Sequence, residues 1–247
     1  MTNSPPIYPW RHLWQKLDAE MHLSSLDHKY AHVELLSMIT TPPHKVLDVG
    51  CFCGGSGRWL KQKFPDTHVT GIEMLPTPAA MAKEIYNEVL VGKLEDIDLG
   101  SWQGRFDAII VADVLEHIYN PWAALQRLKP LIAPKGAIYI SLPNIRNLNI
   151  LIGLTKGEWR YAESGILDIT HIRFFTKAQA LEMLHQTGWK VEEIRHNPDQ
   201  RLTKNFEGMD INKITNFNAG NLKLDNLSQN DVVEMLTLQF LIRATPM

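Results

Sequence analysis

Apolar and polar positions repeat with a helical period from about residue 10 to 39, after a Pro-rich opening, and Thr41-Pro42-Pro43 breaks the run. From Lys45 the pattern changes. Continuous apolar runs at 46–49, 68–73, 106–112 and 137–142 predict strands, and a short apolar piece at 89–91 predicts one more. Stretches at 57–64, 78–89 and 121–129 predict the helices between them, the first ended by Pro65 and the second carrying proline in its first turn. Strands alternating with helices at this spacing imply βαβ crossovers, and strands without polar alternation imply helices on both faces. The core is therefore expected to be a doubly wound α/β sheet.

Beyond Leu142 the rhythm is lost. Residues 143–173 read as an irregular insertion, a cap on the core. A helix follows at 176–188, where Thr176 and Gln179 make a T-x-x-Q capping signal and Gly188 suits the far end. The alternating 189–195 predicts an edge strand, 196–230 a long polar loop, and 236–244 a final strand. The expected division is an N-terminal helical segment over 1–44 and one domain over 45–247.

Composition narrows the function classes. The net charge of −2 supplies no basic field for nucleic acid or an anionic membrane. The two cysteines, Cys51 and Cys53, make neither a disulfide framework nor an all-cysteine zinc set. No secretory leader is legible at the start, and no apolar run approaches the ~18 residues of a membrane span. A cytoplasmic protein with a small-molecule partner, without nucleic acid, is the expectation.

The chemistry concentrates in Val46-Leu47-Asp48-Val49-Gly50-Cys51-Phe52-Cys53-Gly54-Gly55-Ser56-Gly57, where a strand runs into a glycine loop and then a helix. Such a loop lets a ligand lie against bare main chain beside unpaired amides. A dinucleotide fingerprint counted from Gly50 needs glycines at 52 and 55, and position 52 is Phe. That disfavours a dehydrogenase. The Phe52 side chain is expected to pack between sheet and helix, with walling of the ligand pocket as the alternative.

The stretch Leu47 to Gly54 resembles the first motif of class I S-adenosylmethionine-dependent methyltransferases, D-x-G-x-G-x-G. Glu73 closes the second strand, and residues 106–144 resemble the family's fourth strand, helix and fifth strand. The resemblance implies a Rossmann-like sheet, mostly parallel with an antiparallel last strand, and S-adenosylmethionine as methyl donor, leaving S-adenosylhomocysteine. It also implies a cofactor site of Asp48, Gly50, Cys51, Phe52, Gly54, Glu73, Met74, Asp96 and Asp113. Glu73 would hold the ribose hydroxyls, Asp96 the adenine amino group, and Asp113 would lie near the methionine end. The plain alternatives are a strand-end acid at 73, a solvated loop acid at 96, and Asp48 holding the turn through backbone amides.

For a hydroxyl acceptor, a general base is sought. His117, after the fourth strand, and His171, in Leu167 to Phe175, are the candidates, with Asp168 orienting His171. The D-x-x-H-x-R-F-F pattern there resembles bacterial methyltransferases tied to glycan assembly. A structural Asp168–Arg173 pair is the alternative. The acceptor is expected to meet His28, Tyr30 and His32 of the first helix and Trp159, Arg160 and Tyr161 of the insertion. The motifs of DNA amino- and cytosine-methylating enzymes are absent, and the scattered acids reveal no metal set. The leading expectation is methyl transfer to a sugar or glycan-precursor hydroxyl. Nitrogen or carbon methylation, as of a quinone precursor, and a non-catalytic cofactor-binding protein are the alternatives.

Overall fold

A computed structural model describes residues 31–208 and 210–247. Its strands are β1 (Lys45–Val49), β2 (His68–Glu73), β3 (Glu88–Val91), β4 (Phe106–Ala112), β5 (Ile132–Pro143), β6 (Trp189–Pro198), β7 (Phe217–Ala219), β8 (Leu222–Leu224) and β9 (Thr237–Pro246). Its α-helices are α1 (Val33–Leu36), α2 (Gly55–Lys63), α3 (Pro76–Ala82), α4 (Pro121–Leu128), α5 (Leu148–Thr155), α6 (Lys177–Gln186), α7 (Gln200–Thr203) and α8 (Gln229–Met235).

Seven strands form one sheet in the order β3-β2-β1-β4-β5-β9-β6. The pairs among β1 to β5 are parallel, and β9 runs antiparallel to both its neighbours. This is the mostly parallel doubly wound sheet expected, with β6 at the edge. Strand order reverses at β1 and β4, and ligands of such sheets bind in the crevice beyond the carboxyl ends of those strands.

Both faces are covered. Along β4, Ile109 and Val111 join a core with Leu125 of α4 and Met183 of α6, while Ala108 and Ile110 join a second core with Leu60 of α2 and Leu35 and Leu36 of α1. Side chains that alternate between two buried faces make the strand apolar at every position. The expected first helix is described only over its last turns; its earlier part, with His28 and Tyr30, lies outside the described residues.

Several boundaries differ from the sequence reading. Helix α2 starts at Gly55, because Gly54 enters it in the left-handed region at φ +88°. Helix α3 ends at Ala82, and two turns after it carry Tyr86 to Val69, whose carbonyl accepts from the Asn87 amide. The 143–173 insertion contains α5. The expected loop at 196–230 instead folds as α7, the β7–β8 hairpin and the start of α8, around a third cluster of Leu148, Leu202, Phe217, Val232 and Met235. Its elements of three to seven residues are too short for a readable period. At α6 the Thr176 hydroxyl accepts from the Gln179 amide, as the capping signal implies.

Candidate cofactor and acceptor site

Beyond Val49 the chain turns sharply. The Gly50 and Cys51 amides both donate to the Ile72 carbonyl of β2, at 2.8 and 3.0 Å. Gly50, Phe52 and Gly54 all adopt positive φ, at +72°, +45° and +88°. A Cβ on Gly50 would stand 2.6 Å from Val114 Cγ2, so only bare main chain fits between the loop and the end of β4. Phe52 corrects an expectation. Its ring is 40 % exposed and belongs to neither sheet core, so it does not pack between sheet and helix. What fixes the residue is its amide, which donates to Glu73 Oε2 at 2.9 Å.

Glu73 is 5 % exposed at the end of β2, and Leu75 donates its amide to Oε1 at 2.8 Å. Burial pushes its carboxyl pKa up, against the pull of these amides. A carboxylate offers about four lone-pair directions. Phe52 and Leu75 occupy two and the Met74 amide also pulls on the carboxyl, so at most two remain to meet hydroxyls. Met74 follows, exposed.

Asp48 faces away from any such role. It is buried in β1, where the Tyr86 hydroxyl donates to it and itself accepts from the Gly57 amide at 2.9 Å. Asp48 therefore does not hold the turn through backbone amides. Burial raises its carboxyl to about 7, with the Tyr86 hydrogen bond pulling the other way. Tyr86 was not singled out from the sequence, and its trace there is a set of glycines, above all Gly57, where a Cβ would meet the Tyr86 ring at 2.2 Å. Cys51, in the same way, packs its sulfur where a Cβ on Gly71 would lie, 2.6 Å away; burial drives its thiol pKa up, so it is held protonated.

At the end of β4, Asp113 adopts φ +52°. Its amide donates to Ser141 Oγ at 2.9 Å, the Ser141 hydroxyl donates back, and Gln239 Nε2 donates to both carboxylate oxygens at 2.8 and 2.7 Å. His32 Nδ1 stands 3.8 Å from Oδ2. Ser141 and Gln239 were not anticipated; sheet register across β5 and β9 brings them here. Asp96 lies apart, exposed in the turn after β3, lining a surface cleft with Arg127.

One turn past Asp113 stand Glu116 and His117. The Ile172 and Arg173 amides donate to the Glu116 carbonyl at 2.9 and 3.0 Å, which straps His171 beside them. The two imidazoles meet edge to face, 4.7 Å between centroids. The expected Asp168–His171 pair is not formed. The Asp168 carboxylate accepts from the Thr170 amide and hydroxyl, while His171 Nδ1 meets the Ile166 carbonyl at 3.0 Å. Arg173 does not pair with Asp168 either, but donates to the Tyr119 carbonyl and covers the Tyr119 ring. Among the described residues, the carboxylate within ion-pair distance of His171 is Glu116, 3.9 Å from Nε2. Trp159 stacks edge-on against Phe174, and Arg160 pairs with Glu158.

The sheet order, the glycine loop beyond β1 and the acid at the end of β2 together define a class I S-adenosylmethionine-dependent methyltransferase. The chain belongs to the methyltransferase domain family, whose model matches residues 22–194. It is 32% identical over 148 residues to methyltransferase str3 of Strobilurus tenacellus, spanning 58% of this chain and 49% of that protein, about half its length. It is 25% identical over 178 residues to the ubiquinone biosynthesis O-methyltransferase of Escherichia coli O127:H6, covering 68% of this chain and 72% of that one. A S-adenosylmethionine-dependent methyltransferase of Thermotoga maritima shares the fold, with TM-score 0.59 and 16% identity over 96% of this chain and all of that one. No helix among the described residues is long and apolar enough to cross a membrane.

Proposed function

We propose that this chain moves a methyl group from S-adenosylmethionine to a hydroxyl of a small molecule. The main chain of Gly50, Cys51, Phe52 and Gly54 would hold the donor, with Glu73 on its ribose, Met74 beside it, Asp96 toward the adenine and Asp113 toward the methionine end. Bound there, the donor supplies a methyl group on a sulfonium. Everything else falls to this chain. Alignment of donor and nucleophile alone is worth ~7–11 kcal/mol of the barrier.

The observation that carries the hydroxyl reading is the state of the two imidazoles. His117 Nδ1 meets the Thr170 carbonyl at 3.2 Å and His171 Nδ1 the Ile166 carbonyl. A carbonyl only accepts, so each Nδ1 carries a proton, which leaves Nε2 as the ring atom that can take or share one. His117 keeps an edge in solvent, yet the protein packed around it, with His171 adding to the effect, lowers its pKa and leaves it neutral at pH 7. The hydroxyl proton passes to such a nitrogen as the oxygen–carbon bond forms, and the sulfur–carbon pair returns to sulfur. A sugar or glycan hydroxyl rests on the Asp168 to Phe175 pattern. An aromatic hydroxyl is the second reading, favoured by the name of the ubiquinone-pathway relative and by the part-exposed rings of Tyr119, Trp159 and Tyr161.

Calorimetry with S-adenosylhomocysteine on the wild type and Glu73→Ala, followed by mass spectrometry of extracts incubated with labelled donor, tests this. Binding lost in Glu73→Ala and label on an ether oxygen are expected. Wild-type protein that ignores the homocysteine, or label on nitrogen or carbon, overturns it.

A further inference from the structure

Glu116 is the least expected group in the site. It is 1 % exposed, and neither carboxylate oxygen has a hydrogen-bond partner among the described residues. A buried carboxylate in that condition is costly unless it takes up a proton or meets a cation. Around it stand the two imidazoles, each with Nδ1 against a main-chain carbonyl and Nε2 as the atom left to bind. One donor atom from each of Glu116, His117 and His171 lies within 4.8 Å of the other two. His171 Nε2 and Glu116 Oε1 already approach to 3.9 Å.

We propose that Glu116, His117 and His171 bind one divalent transition-metal ion. Two imidazoles and one carboxylate are a donor set for Zn²⁺, Mn²⁺, Co²⁺ or Fe²⁺ and a poor one for Ca²⁺ or Mg²⁺. Three donors at about 2.0–2.2 Å from one ion stand about 3.3–3.8 Å from one another, so the three side chains close on one with inward shifts of under about 1 Å each. The groups that hold the ligands are in place as well. Both ligand rings have their Nδ1–H held by main-chain carbonyls, at 3.2 and 3.0 Å, which sets the tautomer that presents Nε2 and fixes ring orientation. The Glu116 carbonyl, bonded to the Ile172 and Arg173 amides, locks the segment bearing His171 to the turn bearing the other two ligands. Asp113 and Asp168 add negative charge near enough to act on the Glu116 carboxyl and favour a cation there.

Three protein ligands leave coordination positions open, as in catalytic sites rather than structural ones. The proposal rests on the hydroxyl-methylation reading and deepens it: the acceptor would bind through its hydroxyl oxygen to the cation. Coordination acidifies that hydroxyl, its proton passes to solvent water, and the oxygen lone pair takes the methyl carbon while the sulfur–carbon pair stays on sulfur. Under this inference the two histidines act as ligands, and the ion does the activating.

The test uses the full chain, stripped with a chelator and dialysed. Co²⁺ is titrated by visible absorption, and Zn²⁺ and Mn²⁺ by calorimetry. One equivalent should bind, with an absorption spectrum of nitrogen-ligated Co²⁺. Glu116→Gln and His171→Ala should each weaken binding at least tenfold, and the remote, exposed His44→Ala should not. His117→Ala, at a solvent-facing edge, is the second variant should a buried one fail to fold. Absence of one-equivalent binding in the wild type, or unchanged affinity in His117→Ala and the buried variants, overturns the proposal. S-adenosylhomocysteine is titrated into the same samples. Its failure to bind with cation binding intact sinks the methyl-transfer reading and leaves the ion site standing, and the converse result does the reverse.

Discussion

The Tyr86 hydroxyl donates to the carboxylate of Asp48, 38 positions earlier in the chain, and accepts from the Gly57 amide at the start of α2. One phenol thus ties β1, the helix after the glycine loop and the turns after α3. The loop that would hold the donor is set by this bond from beneath, out of the ligand's reach.

Tyr86→Phe keeps the ring and removes both bonds. Losing a buried hydrogen bond to a carboxylate costs about 1.5–3 kcal/mol. Urea denaturation should show that loss, and calorimetry should show weaker S-adenosylhomocysteine binding because the start of α2 loses its anchor. An unchanged midpoint would mean that water replaces the hydroxyl without cost.

The contribution of Asp48 to stability should fall as pH rises through the acid-to-neutral range. Asp48 titrates at about 7 in the folded chain against 3.8 when unfolded, because burial disfavours its charged form. Between those values the folded state holds the extra proton, so unfolding releases it and is favoured by rising pH. Glu73, raised by burial, acts in the same direction. Asp48→Asn should therefore stabilise the protein more at pH 8 than at pH 5. Denaturation midpoints at the two pH values check this, and an equal effect at both would show that Asp48 is ionised throughout.

Gly71→Ala should destabilise by about 1–3 kcal/mol, the usual cost of overpacking, since its new methyl would meet Cys51 Sγ at 2.6 Å. Cys51→Ala removes that sulfur, so the double variant should recover part of the loss in a thermal melt. Strict additivity of the two changes would show that they do not touch.

Phe52→Gly should cost less than about 1 kcal/mol or stabilise outright, because φ +45° strains a residue with a Cβ and suits glycine. The residue belongs to neither sheet core, so no core packing is forfeited. A loss above 2 kcal/mol in denaturant would show that the ring is buried in solution.

Much of this molecule was legible because its signals are local. Buried strands with helices on both faces must be apolar at every position, which made β1, β2, β4 and β5 readable, and bare main chain needs glycine, which marked Gly50 and Gly54. The acid ending β2 and the two histidines stood out as residue types with chemistry. What escaped depends on contacts distant in the chain. Tyr86 beneath Asp48, Gln239 clamping Asp113, and the third cluster inside the supposed loop at 196–230 exist only once the sheet sets its register and the chain returns. The pairing of His171 went to Glu116 and not to Asp168, because main-chain bonds from Ile172 and Arg173 decide which carboxylate the ring faces. Residue order along the chain therefore settled which groups are available and which segments pair as a sheet. Packing alone chose their neighbours, since hydrogen bonds and burial act over a few ångströms of space and take no account of separation in sequence.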